Sequence, residues 1–346
     1  MRQAALMNSV LSGVQAALAT VLVLTLVLIS PWPHLAGYAA LGTLVTLFAR
    51  FAPRGDRPKI LWQCLGLQVS AVLLTGLLSA AGLPLPAMLI WLVLCTGLYL
   101  VLALTIRCGA PGPLIFVFAV GAALAPGQSL AEVLSQSAAT CLAGLAGLII
   151  CALTDRWRPQ PSAQRPLPIE PHLPLRQRLV AALRTMLAAG AAVLACLSLE
   201  AQHPAWAAMG ALAVMQGAGL HIHMNRALQR MIGSVAGSLL AYLLLSSAPD
   251  IAEVILWLCA LQILTELVIG ANYAFGQAFV TPMALLMTWL AAPDLSPGAI
   301  AYERVVDTVL GAGVAVLVAG LLSSLEQRQQ FAEHRLGQAA ARRARP

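Results

Sequence analysis

The sequence predicts an all-α protein that threads a membrane as about twelve transmembrane helices, arranged as two parallel six-helix repeats. Three observations predict it. Hydrophobic residues make up 60% of the chain and charged ones only 10%, at a mean hydropathy of +0.85, which is too little charge to cover a water-soluble domain of 346 residues. Twelve apolar segments follow one another, and a helix needs about 20 apolar residues to cross the hydrocarbon. When the chain is threaded that way, nineteen of its twenty Lys and Arg residues fall on one side.

The first segment, 9–30, follows Arg2 and has the flanks of a signal peptide, but a matching segment in mid-chain argues that it stays. Segments 35–51, 60–81, 85–106, 110–125 and 131–153 complete a first set of six, several of them shortened or broken by Pro and Gly. With the N-terminus in the cytoplasm, Arg50, Arg54, Arg57 and Lys59 lie inside, then Arg107, then Arg156, Arg158, Arg165, Arg176, Arg178 and Arg184. Segments 178–199, 203–218, 227–247, 251–270, 272–292 and 300–323 form the second set, with Arg226, Arg230 and the tail's Arg328, Arg335, Arg342, Arg343 and Arg345 inside. The presumed outer loops around Pro31, Leu83, Pro126, His203, Pro249 and Pro293 carry no Lys or Arg; Arg304 is the exception. This charge bias is the positive-inside signature, so a bacterial inner membrane with both termini cytoplasmic is expected.

An offset of about 168 residues relates the halves. Tyr38-Ala39-Ala40-Leu41-Gly42 matches Trp206-Ala207-Ala208-Met209-Gly210, Leu65-Gly66 meets Ile232-Gly233, and Glu132 meets Glu303. Six helices per copy return the chain to the same side, so the repeats are expected to be parallel, related by an axis along the membrane normal. Asp155 to Leu175 holds Pro159, Pro161, Pro166, Pro168, Pro171 and Pro174, too Pro-rich for a helix and too polar to cross. The expected organisation is therefore repeat 1–154, cytoplasmic linker 155–176, repeat 177–324 and basic cytoplasmic tail 325–346.

Several classes of function are excluded on sequence. The net charge of +7 is spread over short loops on one side, which topology explains without a nucleic acid. Cys64, Cys95, Cys108, Cys141, Cys151, Cys196 and Cys259 lie in or at the ends of apolar segments with no close spacing, and read as small buried hydrophobes, neither metal ligands nor disulfides. His221 and His223 lack a third ligand. The only lysine, Lys59, follows Pro58, so there is no phosphate loop, and no G-x-S-x-G, H-E-x-x-H or C-x-x-C occurs. Neither an enzyme, a bound cofactor nor ATP-driven transport by this chain alone is expected.

Ionisable side chains cost roughly 2.5–3.5 kcal/mol at the centre of a membrane helix on insertion scales, so they are functional candidates. Arg226, Arg230, Gly233 and Gly237 form one stripe. Two readings stay open for it: a basic mouth admitting anions into a substrate site, or a topology anchor above a packing groove. Tyr273, Gln277 and Thr281 recur at intervals of four and end at Pro282, a polar and aromatic stripe that suits an organic carboxylate or simply joins helices. Glu266 lies one turn after Gln262, with Thr265 beside it. Glu303, Asp307 and Gly311 share a face, and Arg304 has Asp307 three and Thr308 four positions on. Glu266, Glu303, Arg304 and Asp307 are thus candidates either for proton coupling or for neutralising ion pairs.

Asn225-Arg226-Ala227-Leu228-Gln229-Arg230-Met231-Ile232-Gly233-Ser234-Val235-Ala236-Gly237 resembles the arginine-to-glycine signature of the fusaric acid resistance protein-like family. Asn272-Tyr273-Ala274 with Phe279-Val280-Thr281-Pro282, and Glu303-Arg304-Val305-Val306-Asp307-Thr308-Val309-Leu310-Gly311, resemble its later segments in order, while the first half matches only as a degenerate copy. The resemblance is to a short form without the cytoplasmic domains of longer members. It implies an inner-membrane efflux component for aromatic or other weak organic acids, often working with a periplasmic membrane-fusion (adaptor) protein. A passive organic-anion channel, with plant organic-anion channels as distant likenesses, and a non-transporting scaffold anchored by the basic tail are the alternatives. The lipid bilayer, a small organic anion and a second copy of the chain complete the expected partners.

Overall fold

A computed structural model of the chain describes residues 3–160, 172–201, 203–216, 220–291 and 296–323. The basic tail 325–346 and positions 161–171 of the Pro-rich linker lie outside the described residues. Within them the chain forms α1 (Gln3–Leu28), α2 (Ala36–Thr43), α3 (Arg57–Ala80), α4 (Leu85–Ile106), α5 (Leu114–Ala122), α6 (Leu130–Thr154), α7 (Leu175–Ser198), α8 (Pro204–Met215), α9 (Leu220–Ser246), α10 (Ile251–Val268), α11 (Tyr273–Ala291) and α12 (Pro297–Leu321), with no strand among the described residues. The protein is a polytopic all-α membrane protein: α1, α3, α4, α6, α7, α9, α10 and α12 are each long and apolar enough to cross a bilayer.

Where twelve similar crossings were expected, three are much shorter. α2, α5 and α8 have 8, 9 and 12 residues, and at 1.5 Å per residue even the longest covers about 18 Å of a hydrocarbon layer about 30 Å thick. Local chemistry ends them. α2 continues only as a 3-10 turn, Leu44–Leu47, before Phe48 turns extended (φ −76°, ψ 161°) and Ala49 takes a left-handed φ of 54°; the Ala49 N–H then donates to the Cys108 carbonyl at 2.8 Å. Gly109, Pro111, Gly112 and Pro113 precede α5, and Pro126-Gly127 follow it. Such broken backbone survives at membrane depth only inside protein. Accordingly every residue of α8 from Trp206 to Met215 is buried, as is most of α2. α11 is 19 residues long and carries Pro282 in its interior.

The long helices put large apolar side chains outward and small or polar ones inward, as expected where lipid is the outer solvent. On α1, Leu18, Leu22 and Leu26 are exposed while Ser12, Gln15, Ala16, Ala19 and Thr20 are buried. α1 packs on α10 and α7 on α4; α2 and α3 pack on α6, α8 and α9 on α12; α5 touches α8, and α2 touches α11. In the first half the middle is filled by rings: Phe48 stacks on Phe116 at 5.1 Å between centroids, and Tyr99 lies 5.7 Å from Phe116.

One end of the bundle is strongly basic. There Asp155, just past α6, holds Arg54 at 3.0 Å, Arg57 at 3.0 Å and Arg158 at 2.9 Å, which ties the start of α3 to the end of α6. The Arg184 guanidinium donates to the Leu322 carbonyl at 3.4 Å, bringing the third turn of α7 to the end of α12. The opposite end holds the starts of α6 and α10, each closed by a capping box, Ser129 with Glu132 and Asp250 with Glu253. Glu132 is thus an exposed cap in the first turn of its helix, whereas Glu303 lies two turns into α12, so the two aligned glutamates do different work.

A buried arginine seam between α8, α9, α11 and α12

Small residues let α9 lie directly on α11. A Cβ at Gly233 would stand 2.5 Å from the Ala274 carbonyl oxygen and 2.6 Å from Gln277 Cβ, and one at Gly237 would stand 2.7 Å from Thr281 Cβ. Arg226 and Arg230 continue the same helical face, so they fall on the polar stripe of α11. Arg230, only 3% exposed, donates through Nη1 to the Tyr273 hydroxyl at 3.4 Å and to Gln277 Oε1 at 3.3 Å. The amide of Gln277 donates on to Thr281 Oγ1 at 3.2 Å, and Thr281 donates to Ser234 Oγ at 3.4 Å. Arg226 lies nearer the basic end, its guanidinium 5.5 Å from the Tyr273 ring centroid and 3.5 Å from the Ala213 carbonyl. All five expected substrate residues therefore meet, with Ser234 added.

A second close approach sets the other half of the seam. Gly311 of α12 faces the backbone of Ala207, and a Cβ at Gly210 would stand 3.3 Å from Gly311 Cα. α8 is thereby pressed onto α12, bringing Trp206 against Arg304, whose Cζ lies 5.0 Å from the indole centroid. Arg304 is also 3% exposed, and its Nε and Nη1 have no hydrogen-bond partner among the described residues; Nε of Arg230 is likewise unpartnered. Neither arginine has a carboxylate oxygen within 4.0 Å among the described residues. The pair that the spacing allows between Arg304 and Asp307 does not form, and Thr308 Oγ1 is also unpartnered among the described residues. Arg230, Asp307 and Tyr273 nonetheless lie within electrostatic reach of Arg304.

Asp307 and Glu303 turn toward the end opposite the basic one. Asp307 accepts from the Cys196 thiol at 3.5 Å through Oδ1, while Oδ2 has no hydrogen bond among the described residues and lies 3.9 Å from His203 Nδ1. Glu303 Oε2 is 3.0 Å from the same Nδ1, at ion-pair distance though no hydrogen bond is formed. The imidazole of His203 stacks on Trp206 at 4.1 Å, 12° from parallel. Burial lowers its pKa below the ordinary value, Glu303 pulling it back up and Arg304 pushing it down.

Glu266 does not join this seam. It is buried on α10 and ion-paired with Arg50, which follows the 3-10 turn after α2, so it links the two halves at the basic end. No cluster of three metal-type ligands occurs among the described residues. Of the side chains that meet at the seam, His203, Trp206 and Ser234 had no assigned role on sequence, and Cys196 was read only as a small buried hydrophobe. Trp206 was visible only as part of the repeated Trp206–Gly210 segment, and His203 only as an outer-loop residue.

An arrangement with two buried cations, no facing carboxylate, a chain of neutral donors and acceptors and two aromatic faces can hold an anion that carries apolar surface. Comparison with known proteins covers the same region. Residues 188–318 match the family described as fusaric acid resistance protein-like. A curated relative, the uncharacterized membrane protein YvaC of Bacillus subtilis (strain 168), is 32% identical over 131 residues, which is 38% of this chain and 20% of that protein. The chain thus spans about a fifth of the length of this relative in the matched region. No solved structure matches at a significant level.

Proposed function

From the premise that the segment 188–318 of this membrane protein belongs to the fusaric acid resistance protein-like family, we propose that the chain exports aromatic or other weak organic anions across a bacterial inner membrane. One observation carries the reading: Arg230 and Arg304 are buried, close together and without a carboxylate partner, so the seam lacks about one counter-anion. A carboxylate seated there would accept from the free guanidinium N–H groups while its ring lay against Tyr273 or Trp206.

The orientation proposed is that of the positive-inside rule, with the basic end and both termini in the cytoplasm. Anions then meet Arg226 first, pass Arg230 and Arg304, and leave beside His203. An inside-negative potential favours this direction by about 2.3 kcal/mol per charge per 100 mV. Two parallel six-helix repeats are the architecture we infer, supported by the helix pairs: α1 on α10 answers α7 on α4, α2 and α3 on α6 answer α8 and α9 on α12, and α2 on α11 answers α5 on α8. A periplasmic adaptor is the partner this direction of transport calls for.

A passive anion channel is the second reading. It is favoured by Glu266, a candidate proton carrier on sequence that is locked to Arg50 away from the seam. The deciding experiment measures efflux of labelled benzoate from proteoliposomes, less that from protein-free vesicles, under an imposed potential, with and without a pH gradient. Export through the seam requires Arg230→Gln to reduce the flux at least ten-fold at unchanged protein level; unaltered flux defeats it. Flux that follows the potential and ignores the gradient selects the channel.

A further inference from the structure

We propose that His203 is a proton-binding residue of the outer mouth, charged from the outside, and that its charge offsets the carboxylates of Glu303 and Asp307 and opens the seam to departing anions. The proposal rests on the transport reading above for its direction.

Four polar atoms here are buried and lack a hydrogen-bond partner among the described residues: His203 Nδ1, Asp307 Oδ2, and Nε and Nη1 of Arg304. Nδ1 faces Glu303 Oε2 at 3.0 Å and Asp307 Oδ2 at 3.9 Å. Two carboxylate oxygens beside one imidazole nitrogen stabilise the protonated ring as the cation of an ion pair, the nearer one most. Access is graded: the side chains of His203 and Glu303 are 32% and 28% exposed and that of Asp307 is 1% exposed, so protons reach the imidazole from water while the aspartate stays sealed.

The charge count makes this contact a gate. Every element packed on His203 contributes as follows. α12 brings Glu303, Arg304 and Asp307; α7 brings Cys196, with Glu200 on the exposed turn beyond it; α9 and α11 bring Arg230 and Tyr273 within reach of Arg304. α4 and α5, which also pack on α8, hold no Asp, Glu, His, Lys or Arg. With a neutral imidazole, Glu303 and Asp307 have no cation within 4.0 Å among the described residues, and their charge at the mouth repels a leaving anion. A proton on His203 offsets one of these two charges and lowers that barrier. The sign is that transport rises as the outer pH falls, and because burial depresses the His203 pKa the rise falls below the ordinary histidine value of about 6.5.

Trp206, stacked on His203, supplies a readout independent of transport, because a protonated imidazole quenches an adjacent indole. We expect tryptophan fluorescence of the purified protein to step down on acidification, and the step to vanish in both Trp206→Phe and His203→Gln. In proteoliposomes benzoate efflux, less that from protein-free vesicles, should rise several-fold as the outer pH moves from about 7.5 to about 6.0. His203→Gln should hold the low rate at both values, whereas Glu303→Gln should give the high rate at both. A fluorescence step, or an acid-stimulated flux, that survives His203→Gln overturns the proposal, as does a Glu303→Gln protein that stays acid-stimulated should the His203 variant not fold. A step lost in His203→Gln without benzoate flux in any form upholds the proton site and sinks the transport reading.

Discussion

Arg304 shows how far a single residue can depart from what its neighbours in sequence offer. A carboxylate three positions on is an ordinary helical partner, yet Asp307 is drawn to Cys196 and His203 and the guanidinium rests on an indole. A buried charge in that state weakens the fold, so Arg304→Gln should raise thermal stability by about 1–3 kcal/mol while benzoate flux is lost. Glu266→Gln should do the reverse, lowering stability by about 3–5 kcal/mol because it leaves Arg50 alone in the interior. Thermal unfolding of the two purified variants checks both signs, and a destabilised Arg304→Gln protein would mean that the cation–π contact outweighs the burial. What was legible at this scale followed from helical geometry: Arg226 and Arg230 on α9, and Tyr273, Gln277 and Thr281 on α11, share faces by spacing alone. His203 and Trp206 were not legible as partners of Arg304, since they stand about 100 positions earlier and only the packing of α8 on α12 joins them.

The elements follow the same division. Hydropathy locates apolar stretches well, and the eight long helices lie close to where the sequence put them. It cannot separate a stretch that faces lipid from one that faces protein, which is why α2, α5 and α8 read as crossings until Pro, Gly and the extended turn at Phe48 shortened them. Glycine spacing carries the missing information where two backbones touch. Gly311 abuts the Ala207 backbone, whereas nothing among the described residues lies within 4 Å of a Cβ at Gly313. Gly311→Ala should push α8 off α12 and destabilise by about 1–3 kcal/mol, and Gly313→Ala should be neutral or slightly stabilising. Denaturation of both purified variants tests this, and equal effects would show that α8 yields freely. Since α8 carries Trp206, the Gly311 variant should lose anion flux as well.

Across the whole molecule, the membrane class and the abundance of helices were legible from composition, because a chain with 10% charged residues has few other ways to fold. The difference between halves was not. The first half closes its middle with Phe48, Phe116 and Tyr99, while the second keeps two arginines there, so similar sequence blocks frame dissimilar interiors. The ion pair between Arg50 and Glu266, whose positions are 216 apart, also has a consequence for biogenesis. At about 5–20 residues per second of synthesis, Arg50 waits roughly 10–40 s for its partner to emerge from the ribosome. During that interval the early helices carry an uncompensated cation, so the insertion machinery must shelter them or membrane proteases will clear them. Residues 1–160 expressed alone should turn over rapidly, and co-expression of residues 161–346 should restore their steady-state level; a fragment that persists unaided would mean that Arg50 is solvated until α10 arrives.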